Sequence, residues 1–207
     1  MSEFRLGAEL SERVNKEPIR RRRRADAERS IAAIQAAAMK MLEARPDASI
    51  EELAKEAGVA RQTVYAHFES RDALVEAVVQ RALGETLAAI DAAELEQGSA
   101  AEALARLIAA SWQTLERYPV LIELRAPMSA EAEYELHRPI LDRLEQLVRR
   151  GQRTGEFDPD LPPSWLLAAF LSLAHAAAGE VRAGRMDAEE AGEALRITVQ
   201  RVFGAAA

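Results

Sequence analysis

Ser49 and Gly58 lie nine residues apart, and the chain between them has room for little more than two turns of helix. Ser49-Ile50-Glu51-Glu52 has the form of a capping box. The serine oxygen accepts a backbone N–H three residues on, and the Glu52 carboxylate reaches back. Gly58 stops the helix because glycine adopts positive φ without steric cost. A second short helix is predicted from about Arg61 to His67. Two short helices joined by a tight glycine turn cross steeply. Ala54 provides the small residue at the crossing, and Val59, Val64 and Phe68 provide apolar pegs. With those side chains inward, Arg61, Gln62 and Thr63 emerge together on the first exposed turn of the second helix.

The rest of the chain reads as helix throughout. Apolar residues recur at three- and four-residue steps: Ile31, Ile34, Ala38, Met41 and Leu42 before Pro46, then Leu74, Val75, Val78, Val79, Ala82 and Leu83 after Ser70. Ser99 and Glu102 form a second capping box, ahead of Leu104, Leu107, Ile108, Trp112 and Leu115. A short segment with Val120, Leu121 and Leu124 lies between Pro119 and Pro127. Ile140, Leu141, Leu144, Leu147 and Val148 mark the next helix, which Pro139 either kinks or starts. Helices over about 164–183 and from Asp187 to near Phe203 complete an all-α chain of about nine helices. Aromatics at 5% and scarce β-branched runs argue against a sandwich or barrel.

Composition excludes several chemistries. The 207 residues contain no cysteine, so disulfides, thiolate zinc sites, iron–sulfur clusters and a cysteine nucleophile are ruled out. The three histidines, His67, His137 and His175, are widely separated in sequence, and no metal site is expected. No phosphate-binding glycine loop, Gly-x-Ser-x-Gly or His-Glu-x-x-His is present, so an enzyme is not expected. The stretch Trp165 to Gly179 is weakly polar but shorter than the ~20 residues that cross a bilayer. The expectation is a cytoplasmic protein with no membrane association.

Charge is unevenly spread. Residues 1–80 carry 14 basic and 14 acidic side chains, and residues 81–207 carry 13 and 20. The acidity therefore lies in the C-terminal part. Arg20 to Arg24 form an unbroken basic run just before the first helix. Such a run is either a solvated tail or an arm that binds nucleic acid.

A helix entering the major groove presents its first turn to base edges. Arginine can give two hydrogen bonds to guanine and glutamine two to adenine, while a threonine methyl packs on thymine. Tyr65 and His67 lie at the edge, within reach of phosphates. Over residues 49–74 the chain resembles the TetR family of bacterial transcriptional regulators. The motif is a capped helix, Ala57-Gly58-Val59, Thr63-Val64-Tyr65, His67-Phe68, then Arg71 and Leu74 opening the fourth helix. The resemblance implies DNA contacts from Ser49, Arg61, Gln62, Thr63, Tyr65, His67 and Arg71. Ala60 departs from the pattern, since the family commonly has a capping serine there. The implied organisation is a basic extension over 1–24, a DNA-binding head over 25–72, and a ligand-binding and dimerisation part over 73–207.

Reading a twofold operator requires two heads, so a homodimer on double-stranded DNA is expected. Leu173 and Ala177 on the eighth helix, with Leu195, Val199 and Val202 on the ninth, are candidate interface residues, or else they pack inside one subunit. Trp112, Tyr118, Tyr134, Leu144, Trp165 and Phe170 are candidate walls of a pocket, with Met128 nearby and His137, His175 and Glu123 as polar candidates. The occupant would be a small apolar or amphipathic effector, and no cofactor is implied. The leading function is a repressor released from its operator by a ligand. The alternatives are a small-molecule-binding protein that does not read an operator and, more distantly, a helical enzyme with buried carboxylates.

Overall fold

The computed structural model describes residues 25–42, 45, 47–117 and 129–204. The arginine run, Pro46, the segment around Val120, Tyr118, Glu123 and Met128 all lie outside the described residues. Eight helices occur among the described residues, and no strand. They are α1 (25–42), α2 (Ile50–Glu56), α3 (Arg61–His67), α4 (Arg71–Ala92), α5 (Ala100–Arg117), α6 (Ala130–Thr154), α7 (Pro163–Arg182) and α8 (Ala188–Val202). The fold is all-α, as the apolar spacing implies. The chain divides into two compact units, one up to Val78 and the other from Val79.

In the first unit, the buried faces of the helices follow the sequence pattern. Ile34, Ala38 and Leu42 of α1 are buried, as are Leu53 and Ala54 of α2, Val64 of α3, and Leu74 and Val78 of α4. Local chemistry sets the ends. Ser49 accepts from the Glu52 backbone N–H, and Glu52 accepts from the Ser49 N–H at 2.9 Å, which completes the capping box. That backbone hydrogen bond, the Ser49 hydroxyl and Arg45 lower the Glu52 carboxyl to about 2, so the box stays charged at any physiological pH. At the other end, Val59 N–H donates to Ala54 O at 3.0 Å and Gly58 N–H to Lys55 O at 3.1 Å, with Gly58 at φ +67°. This Schellman pair is what turns the chain into α3. Val59 itself is only half-buried.

In the second unit, α5, α6, α7 and α8 form a four-helix bundle in which each packs on two others, in the cyclic order α5–α6–α7–α8. Leu104, Leu107, Leu141, Leu144, Leu166, Phe170, Leu195 and Val199 fill its core. Ser129 caps α6 and Gly155 ends it in the left-handed conformation. Pro139 therefore lies inside α6 and does not start it. Arg143, one turn on, donates to Pro139 O at 2.9 Å and forks onto both Asp91 oxygens at 2.8 and 3.1 Å. Arg106 of α5 grips the chain just past the end of α4, donating to Ala93 O, Glu94 O and Gln97 O.

One sequence expectation is corrected here. α7 has 20 residues, so by length and composition it could cross a bilayer, and only 28% of its most apolar window is buried. The helix begins at Pro163 and runs through Glu180, Val181 and Arg182, past the weakly polar stretch that ends at Gly179. Leu166, Leu167, Phe170 and Ala178 turn one side of this helix into the bundle core.

Candidate nucleic-acid interface

α3 is a seven-residue helix with one buried position, Val64. Its flanking Phe68 is also buried. The opposite side carries Arg61, Gln62 and Tyr65, all exposed, with Thr63 and His67 half-buried beside them. Tyr65 is 43% exposed, a large aromatic that the core does not claim. The Arg61 guanidinium lies over the Tyr65 ring, 5.3 Å from its centroid, and pairs with the Glu51 carboxylate of α2. The Tyr65 side chain first, and Glu51 second, hold Arg61 above its ordinary range. The pairing with Glu51 escapes a reading of the sequence. The residues are ten apart, and only the crossing of α2 and α3 brings them together.

Two of the remaining candidates are engaged in the fold itself. The Ser49 hydroxyl lies 2.9 Å from Glu52 Oε2, within the α2 cap. Arg71 Nε donates to Ala48 O at 3.1 Å, which ties the start of α4 to the turn before α2. Arg71 is half-buried there, and its Nη1 lies 3.9 Å from Asp72 Oδ1. Ala60, the N-cap of α3, makes no side-chain capping bond. Ala60→Ser is therefore expected to stabilise the head by about 1 kcal/mol in urea unfolding. An unchanged midpoint would show that the first amides of α3 gain nothing from a cap.

Residues 34–78 match the family described as bacterial regulatory proteins, tetR family. The chain is also 30% identical over 154 residues to the HTH-type transcriptional regulator NfxB of Pseudomonas aeruginosa, an alignment covering 72% of this chain and 77% of that protein. The chain belongs to the TetR family. It is a DNA-binding transcriptional regulator and not an enzyme. A second relative, the HTH-type transcriptional repressor LfrR of Mycolicibacterium smegmatis, is 30% identical over 149 residues, with the same coverage. Among solved structures, FadR from Bacillus subtilis in complex with stearoyl-CoA superposes with a TM-score of 0.71 at 17% identity, covering 84% of this chain and 99% of that one. LfrR in complex with proflavine superposes with a TM-score of 0.64 at 24% identity, covering 87% and 98%. These structures share the TetR fold.

The TetR regulator's candidate pocket residues divide between core and surface. Leu144 and Phe170 are buried in the bundle core. Trp112 is buried too, and its Nε1–H donates to Ala188 O at 2.9 Å, which spends its polar atom on α8. Tyr134 is 39% exposed and Trp165 60%. The polar candidates His137 and His175 do meet: their rings are edge to face at 5.5 Å, and His175 Nδ1 is 3.3 Å from Glu133 Oε1. Separation in sequence therefore did not mean separation in space. Among the described residues, no group of three His, Cys, Asp or Glu is placed to hold a metal ion.

The candidate interface residues also divide. Leu195 and Val199 are buried in the core of this chain, which is the alternative of packing inside one subunit. Leu173, Ala177 and Val202 are half-buried at its margin. Exposed Trp165, Ala168, Ser172 and Ala176 lie on the open side of α7, at positions the sequence reading did not select apart from Trp165.

Proposed function

We propose that this chain is a cytoplasmic, homodimeric repressor that a small apolar or amphipathic molecule releases from its operator. The observation that carries the reading is the outward group Arg61, Gln62 and Tyr65 on a helix whose other side is anchored by Val64 and Phe68. In this reading α3 lies in the major groove. Arg61 and Gln62 face base edges, while Thr63, Tyr65, His67 and Arg71 serve the groove wall and backbone. The domain assignment follows: a head over about 25–72, and an effector and dimerisation part beyond it.

A single head spans too few base pairs to specify an operator, and two heads on a twofold axis read half-sites ~34 Å apart or a multiple. The open apolar side of α7, with Leu173, Ala177 and Val202 at its edge, is the surface assigned to the second copy. Small alanines there allow close helix approach. The effector class rests on the apolar interior of α5–α8 and on two similar structures, one solved with proflavine and one with stearoyl-CoA. A ligand can release DNA only through its differential affinity for the bound and released states.

Phosphate attraction is assigned to Arg20–Arg24. Residues 25–78 carry six basic and ten acidic side chains, a net of −4, so the head's net charge opposes approach to a polyanion. The same imbalance favours the second reading, a ligand-binding protein that no longer reads an operator. Selection of duplexes from a random pool, followed by substitution, decides between them. Arg61→Ala or Gln62→Ala is expected to cost about 1–3 kcal/mol on the selected site and much less on random DNA. Equal losses on both would show backbone contacts only, and an empty selection would favour the second reading.

A further inference from the structure

Glu51 and Glu52 are neighbours on the first turn of α2, yet only Glu52 serves the cap. Glu51 points across to α3 and pairs with Arg61, whose guanidinium also covers the Tyr65 ring. The side chains of the pair are 58% and 65% exposed, so the contact is not part of the core. Exposed pairs of this kind add little to stability. Together with the Tyr65 ring, the contact biases a long, rotamer-rich side chain toward one place on the exposed side of α3.

We infer that Glu51 is a positioning residue that sets base specificity through Arg61, an inference that rests on the proposed role of Arg61 at a base edge. Two effects act in the same direction. Arg61 loses less conformational freedom on giving two hydrogen bonds to guanine when its guanidinium is already held. The Glu51 charge also makes the wrong sequence costly. On a guanine, Arg61 stays beside Glu51 and keeps the carboxylate neutralised. On another base, Arg61 swings to a phosphate and leaves a bare carboxylate facing the polyanion. That is discrimination by repulsion as well as by attraction. The ligand chemistry is a G·C pair presenting O6 and N7 in the major groove.

The test measures binding of the full-length protein to its selected duplex, to that duplex with the guanine opposite Arg61 replaced, and to random DNA, all at one salt concentration. Glu51→Gln is expected to leave the melting temperature unchanged and to strengthen binding to random DNA about threefold, because one charge facing phosphate is gone. It is expected to reduce discrimination at that single base pair about fivefold. In an Arg61→Ala background, Glu51→Gln should change discrimination no further. Unchanged discrimination in Glu51→Gln overturns the inference, as does an equal loss in the Arg61→Ala background. If Arg61→Ala alone leaves discrimination intact, the base-edge role of Arg61 falls and the inference falls with it. A loss confined to Glu51→Gln in the wild-type background sustains both.

Discussion

Replacing Arg20, Arg21, Arg22, Arg23 and Arg24 together by serine is expected to flatten the salt dependence of DNA binding and to weaken operator and random DNA alike. Each neutralised phosphate contributes about 0.9 to the slope of log affinity against log salt, so five contacts account for up to about 4.5. The matching loss of affinity at about 0.15 M salt, taken from a reference of about 1 M, is on the order of a thousandfold. The expectation rests on the pairing of the head's own cations. Arg29 pairs with Asp26, Lys40 with Glu56, Arg45 with Glu52, Arg61 with Glu51, and Arg71 lies 3.9 Å from Asp72. Five of the six basic side chains in residues 25–78 are thus already beside a carboxylate. The ratio between operator and random DNA should hold, since phosphate contacts carry no sequence information. Titrations at several salt concentrations measure both quantities. An unchanged slope would return the phosphate contacts to the folded head.

Gly151→Ala is expected to destabilise the C-terminal unit by about 2–3 kcal/mol, even though alanine is the better helix former by about 1 kcal/mol. A Cβ at 151 would stand 2.2 Å from Phe157 Cδ2 and 2.6 Å from Cγ and Cε2. The ring has nowhere to go. Phe157 is 1% exposed and stands edge to face on Phe203 at 5.7 Å, itself fully buried. The backbone behind the ring is pinned as well, by Asp158 N–H to Phe203 O at 2.9 Å and by Gln152 donating to Asp158 O and Leu161 O. For a chain of this size the melting temperature should fall by roughly 4–12 °C. Gly84→Ala provides the opposite sign. A Cβ there meets nothing within 4 Å, so it should stabilise by about 0.5–1 kcal/mol. Equal shifts from both variants would mean that the Phe157 ring yields.

The parts of this fold that the sequence made legible are those decided within a few residues. The Ser49–Glu52 box, the Gly58 turn, the Ser99–Glu102 box and the Asp187 cap each close over three or four positions, and the structure places helix ends at all of them. Apolar spacing identified the inward faces equally well. Spacing does not say what covers an apolar stripe. Leu195 and Val199 share a stripe that suits a second copy as well as it suits the chain's own core, and the core claims them. Pro139 was ambiguous because its cost to a helix depends on what serves the disturbed turn. At the interface, Arg61 and Gln62 were legible as outward residues once Val64 and Phe68 were taken as inward, whereas Thr63, expected outward beside them, is half-buried and Tyr65, expected at the edge, is exposed. The Glu51 partner of Arg61 was not, because it depends on an angle between helices and not on a spacing.

The two tryptophans occupy opposite surroundings: Trp112 is locked between α5 and α8 at 6% exposure, and Trp165 stands 60% exposed near the start of α7. The chain therefore carries two intrinsic fluorophores of contrasting character. One is dry and hydrogen-bonded, and its emission follows melting of the bundle. The other is wet and open to quenchers such as iodide, and its emission follows whatever comes to cover that end of the helix. Assembly and unfolding can thus be read as separate optical signals with no label attached.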